Sequence, residues 1–144
     1  MKPVLRFGVF ILGLQVAFGG PSVAADLSRQ EPVVVEVRLG TRDNHLNFQP
    51  NQLTFETGKL YKLVLINPSP SKHYFSALRF AAAVWTRKVQ DGNMEVKGAV
   101  REIEVLPGKR VEWFFVPVQA GSFQLRCTIT GHAEAGMVGR IAIR

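Results

Sequence analysis

Phe123-Gln-Leu-Arg-Cys127-Thr-Ile-Thr-Gly-His132-Ala-Glu-Ala-Gly-Met137-Val-Gly-Arg-Ile141 runs from one β-type stretch, through a glycine-punctuated loop, into another. The loop carries the only cysteine of the chain and sets a thiolate, an imidazole and a thioether at five-residue steps, at Cys127, His132 and Met137. These are three of the four donors of a mononuclear blue-copper site, in which two His and one Cys form a trigonal plane and a Met lies further off on the axis. A second His has to come from elsewhere, together with a scaffold that holds it. Read without a metal, Cys127 is a small buried thiol, His132 a loop histidine and Met137 a filler of core gaps.

The chain has 144 residues, enough for one domain, with a formal charge of +7. Its first residues read as a secretory signal: Lys2 and Arg6 give a positive start, Phe7 to Phe18 is apolar, and Pro21-Ser-Val23-Ala-Ala25 offers the small residues of a cleavage site. The apolar run is short beside the roughly 20 residues that cross a bilayer, which favours cleavage after Ala25 over a retained anchor. Loss of Lys2 and Arg6 lowers the charge from +7 to +5. The basic remainder points weakly to acidic partners. The scattered Arg87, Lys88, Lys97, Arg101, Lys109 and Arg110 read as solvated charge, not as a nucleic-acid surface. With a single cysteine, no internal disulfide is available, and the thiol's neighbours favour a functional role.

After a polar leader, Asp26 to Pro32, strand character appears at 33–39, 60–66, 94–97, 101–106, 111–118, 121–127 and 138–143. Residues 46–55, interrupted by Pro50, read as a broken edge strand. Turn signals separate the strands at Gly58, at Pro107-Gly108 and in the two-proline loop Asn67-Pro-Ser-Pro-Ser-Lys72. Phe75, Leu78, Ala82, Trp85 and Val89 follow steps of three and four, which predicts a helix on the edge of the fold. Short strands at turn-marked intervals predict an all-β, antiparallel Greek-key sandwich with one short helical insertion. Most of the aromatic residues are expected in its core.

Three histidines are present. His73 follows the strong strand 60–66 and its proline loop, so it would stand at one end of the sandwich on a different strand from the cysteine loop. His45 has no companion donor near it and reads as structural or surface.

At this point the chain resembles the cupredoxins, the small blue-copper family that includes plastocyanin, pseudoazurin, azurin and rusticyanin. The matching stretches are Phe48 to Leu53 leading to Gly58, Leu63 to Asn67 leading to His73, and Phe123 to Ile141. The resemblance covers roughly residues 26–144 and implies a type I copper centre with one copper ion. His73, Cys127 and His132 would be its equatorial ligands and Met137 its axial one. It also implies single-electron exchange between redox partner proteins. Where many members carry an Asn that braces the cysteine loop, this chain has Tyr74; Thr128, directly after the cysteine, fits the family pattern.

The expected protein is thus an exported electron carrier, a monomer in the periplasm, with the extracellular space and the thylakoid lumen as other destinations. The alternative is a copper-binding protein for delivery, storage or sensing; the lack of a Met-rich tract speaks against it. An enzyme is not expected. A copper oxidase or nitrite reductase needs further histidines, and only His45 is left over; a binuclear electron-entry copper site needs a second cysteine. No nucleophile elbow or hydrolase triad is present.

Overall fold

Apolar and polar residues alternate along the first strand, β1 (Val33–Leu39), so that Val37 and Leu39 are buried while Glu36 and Arg38 face water. The same two-residue period recurs at 52–55 and 102–105 in the computed structural model, which describes residues 26–144. The signal segment expected over residues 1–25 lies outside the described residues. No helix among the described residues is long and apolar enough to cross a membrane.

The further strands are β2 (Phe48–Gln49), β3 (Gln52–Phe55), β4 (Tyr61–Ile66), β5 (His73–Ser76), β6 (Val84–Gln90), β7 (Glu95–Val96), β8 (Glu102–Val105), β9 (Arg110–Pro117), β10 (Gly121–Arg126) and β11 (Val138–Ile143). They form two sheets, β2-β1-β4-β9-β6-β7 and β3-β11-β10-β5-β8. The sandwich is the expected one. Most pairs are antiparallel, but β1 with β4 and β3 with β11 run parallel. The broken strand at 46–55 divides at Pro50: β2 joins the first sheet on β1, and β3 joins the second on β11.

Between the sheets lies an aromatic core. Phe55, Tyr61, Phe80, Trp113 and Phe115 are buried, with ring centroids 4.8–5.9 Å apart in the contacting pairs. β4 lies between β1 and β9, and its Leu63, Val64 and Leu65 are all buried.

The helix expected over Phe75–Val89 is a correction. Only α1 (Leu78–Ala82) is helical; Phe75 belongs to β5, and Trp85 and Val89 belong to β6. β6 pairs antiparallel with β9, and Thr86 Oγ1 accepts a hydrogen bond from the Trp113 indole at 3.1 Å. The β-branched Val84, Thr86 and Val89 suit a strand, where their stiff side chains pack without the crowding of a helix. The supposed helical face is not one face either, since Leu78 and Trp85 are exposed while Phe75 is buried. The polar leader is likewise pinned: Gln30 donates through Nε2 to Gly58 O (3.0 Å) and accepts from Leu60 N–H (3.4 Å).

One end of the sandwich gathers the finish of β4, the start of β5, the finish of β10 and the start of β11. The two connections on which the metal reading depends, 67–72 and 127–137, both lie there.

Candidate metal centre

His73 opens β5 with its ring fully buried. The preceding loop holds it through a chain of hydrogen bonds rooted at Asn67, also fully buried. The Asn67 amide donates to Ser71 O (2.7 Å) and Val105 O (2.8 Å), and its Oδ1 accepts from Ser69 N–H (2.9 Å). That last bond is an Asx turn, the local closure Asn favours before a proline-rich bend. Ser69 is thereby set beside the His73 ring, Oγ to Nε2, at 2.8 Å.

The direction of this contact follows from proton count. A hydroxyl has one proton, and Ser69 Oγ donates it to Ser71 O at 2.8 Å. Towards His73, Ser69 Oγ therefore accepts, Nε2 carries the ring proton, and Nδ1 keeps its lone pair. Nδ1 is buried and has no hydrogen-bond partner. Leaving such an acceptor unpaired costs about 1–3 kcal/mol. Burial lowers the pKa of His73 from its ordinary value, and the neighbouring His132 pushes the same way, so the imidazole is kept neutral with that lone pair free.

The cysteine loop brings the remaining donors to the same place. Cys127 is buried and follows β10; His132 is half-buried. Cys127 Sγ and His132 Nδ1 are 3.5 Å apart, and the rings of His73 and His132 stand 5.2 Å apart, centroid to centroid. One donor atom from each of His73, Cys127 and His132 lies within 4.8 Å of the others. Backbone bonds close the loop: Cys127 N–H to Met137 O (3.1 Å) and Met137 N–H to His132 O (2.9 Å). Met137 is fully buried. His45 is exposed and stands outside the cluster.

Two contacts flank the cysteine. The main-chain N–H of Tyr74 donates to Cys127 Sγ at 3.4 Å. Thr128 Oγ1 donates to Glu102 Oε2 on β8 at 3.1 Å, tying the residue after the cysteine to the neighbouring part of the sheet. Gly40 closes the site from the other side. Its φ is +73°, and a Cβ added to it would come within 2.8 Å of His73 Nε2.

The set fits copper. A thiolate with two imidazoles suits Cu in a trigonal arrangement, and the buried, unpartnered Nδ1 of His73 is an atom such a metal would satisfy. Sequence reasoning singled out His73, Cys127, His132 and Met137 but missed Asn67, Ser69, Gly40 and Glu102. Asn67-Pro-Ser carried a readable Asx-turn signal; the others act across the fold and left no local trace.

No family model matches the chain. The copper-resistant cuproprotein CopI of Rubrivivax gelatinosus is 33% identical over 131 residues, which cover 88% of this chain and 73% of that protein. Among solved structures, auracyanin A, a blue copper protein of Chloroflexus aurantiacus, superposes with a TM-score of 0.55 at 18% identity, covering 79% of this chain and all of its own. The multicopper oxidase McoA of Aquifex aeolicus reaches 0.64 at 14% identity over 85% of this chain, which spans 31% of that oxidase. These structural likenesses are to the fold.

Proposed function

The chain belongs to the family of the cuproprotein CopI, built on the cupredoxin fold, and from that premise we propose that it is a type I copper protein that carries single electrons between redox partners. His73 through Nδ1, Cys127 through Sγ and His132 would hold one copper ion, with Met137 as the weak fourth donor. Bound there, copper supplies a one-electron couple. The observation that carries the reading is the convergence of His73, Cys127 and His132, together with a buried His73 Nδ1 that has no hydrogen-bond partner.

The chain's own residues do the rest. Ser69 and Asn67 fix the His73 ring, Tyr74 N–H steadies the sulfur, and the buried Met137 helps keep water out. Donors held by the protein's own hydrogen bonds resist rearrangement when charge changes, which is what rapid electron exchange requires. Half-buried His132 offers the one partly exposed edge of the trio. His45, exposed and alone, leaves no material for a second, catalytic copper site, so the protein is proposed as a carrier and not an enzyme. Residues 1–25 are proposed as a cleaved signal and 26–144 as the copper domain, exported to the periplasm and monomeric.

A second reading, copper handling in metal tolerance, is favoured by the name of the Rubrivivax gelatinosus relative. The two separate in one experiment. Adding one equivalent of Cu(II) to the mature protein should give an intense thiolate-to-copper visible band and a type I electron paramagnetic resonance signal, both absent in Cys127→Ser. Absence of the band in the wild type would overturn the site assignment. A band that a competing chelator strips within minutes would favour handling; a band that persists while ascorbate and hexacyanoferrate(III) cycle it would favour electron carriage.

A further inference from the structure

Among the described residues, four arginines without a carboxylate partner line a single groove on the outer face of the second sheet. Arg126 on β10 and Arg140 on β11 alternate with the buried Leu125 and Ile141, so both point away from the core. Arg79 reaches the groove from α1, and Arg101 reaches it from just before β8. All four are exposed. Several cations elsewhere are paired: Lys59, Lys62, Lys72, Lys88 and Arg110 each lie within 3.0 Å of a carboxylate oxygen. Among the described residues none of the four groove arginines has such a partner. The one acid that lines the groove, Glu102, accepts from Thr128. Of the basic residues read as scattered solvated charge, Arg101 alone belongs to this groove, where it joins Arg79, Arg126 and Arg140.

The groove also adjoins the candidate metal centre through the chain itself. Arg126 and Thr128, which both line it, are the two neighbours of Cys127. The groove floor is thus one residue from the sulfur, on the face of the molecule where Ser76 and Arg126 pair across β5 and β10.

We propose that this groove is the docking surface for an acidic region of a redox partner protein, with carboxylates meeting Arg79, Arg101, Arg126 and Arg140. Electrons would then pass through the Arg126–Cys127 main chain. The inference rests on the electron-carrier reading above, but the docking itself is measurable without it. Guanidinium groups from four separate segments, spread along an open groove of about 750 Å³, match several carboxylates on one surface and bind them in planar, two-pronged fashion. Nucleic acid is the weaker fit, because single strands also need exposed aromatic rings to stack on, and the one aromatic residue lining the groove, Phe123, is half-buried.

The test uses the isotope-labelled, Cu(I)-loaded protein and hexaglutamate as the acidic probe at low salt. Amide resonances of Ser76, Gln124, Arg126 and Thr128 should shift. Arg126→Glu with Arg140→Glu should abolish the shifts, whereas Arg38→Glu with Arg42→Glu, an equal charge change at another face, should leave them. In parallel, oxidation of the Cu(I) protein by hexacyanoferrate(III) should slow about tenfold at low ionic strength in the groove variant only, and converge with wild type at high salt. Shifts mapping outside the groove, equal slowing in both double variants, or tighter binding of oligothymidylate than of hexaglutamate would overturn the proposal. A wild type that hexacyanoferrate(III) does not oxidise would sink the electron-carrier reading instead, while the peptide map would still decide the groove.

Discussion

Ser69 decides which nitrogen of His73 is left without a partner. Its only proton goes to Ser71 O, so it accepts from Nε2 and leaves Nδ1 free. A metal-binding His held through its other nitrogen is the usual arrangement, and losing such a partner typically costs about 10- to 100-fold in affinity. Ser69→Ala should weaken copper binding by about that factor in a chelator competition and broaden the electron paramagnetic resonance spectrum, with the fold intact by circular dichroism; unchanged affinity and spectrum would show that packing alone orients the ring. Gly40 makes the complementary case. Gly40→Ala adds a Cβ 2.8 Å from His73 Nε2 at a φ of +73°, whereas Gly58→Ala meets nothing within 4 Å at a nearly equal φ of +79°. Both variants should lose about 1–3 kcal/mol from backbone strain. Only Gly40→Ala should also lose copper affinity, and equal affinity in the two would refute the contact argument.

Glu112 acts at the level of the element, because it joins three neighbouring strands. On β9, its carboxylate meets Lys62 of β4 at 2.9 Å, Gln90 of β6 at 2.8 Å and Arg110 of its own strand at 3.0 Å. Burial would raise its pKa, but hydrogen bonds from Lys62, Gln90 and Arg110 outweigh that and hold it down to about 2, from an ordinary 4.5. A depressed carboxylate pKa contributes stability above the unfolded-state value and loses it as pH falls through the folded one. Comparing wild type with Glu112→Gln by urea denaturation, the difference of about 2 kcal/mol at pH 6 should shrink between pH 4.5 and 2. A gap that does not change with pH would refute the linkage. The strand that carries Glu112 was legible from the sequence, as was β4, because each is a near-continuous run of β-branched, aromatic and other apolar residues; β1, β10 and β11 were legible from the same strand-type composition between turn signals. The stretch 75–89 was not. Its three-and-four spacing is an accident of a strand, a five-residue helix and a second strand following one another, and the pairing of β6 with β9, more than twenty residues on, overrides it.

Across the whole molecule, legibility follows the range of the contacts. Cys127, His132 and Met137 could be found because one loop sets their spacing, and His73 because a strand end precedes it. Gly40 touches His73 from a distant loop, and Arg79, Arg101, Arg126 and Arg140 meet only once the second sheet is assembled, so neither arrangement has a local signal. The same separation of scales predicts how stability and metal binding divide. The aromatic core is centred on fully buried Phe80, which packs on Phe55 (5.5 Å), Trp113 (5.7 Å), Phe115 (5.3 Å) and Phe123 (5.9 Å) between centroids. None of those rings belongs to a candidate ligand. The fold should therefore stand without copper, and the two functions should fail separately. Phe80→Ala should cost about 3–5 kcal/mol in chemical denaturation of the apo protein, yet the folded fraction should still develop the copper band. Cys127→Ser should lose the band while the apo midpoint stays close to wild type. If removing copper instead unfolded the wild type, the site would be holding the sandwich together, and the hydrogen-bonded frame of Asn67, Ser69 and Tyr74 would not be the preformed cradle described above.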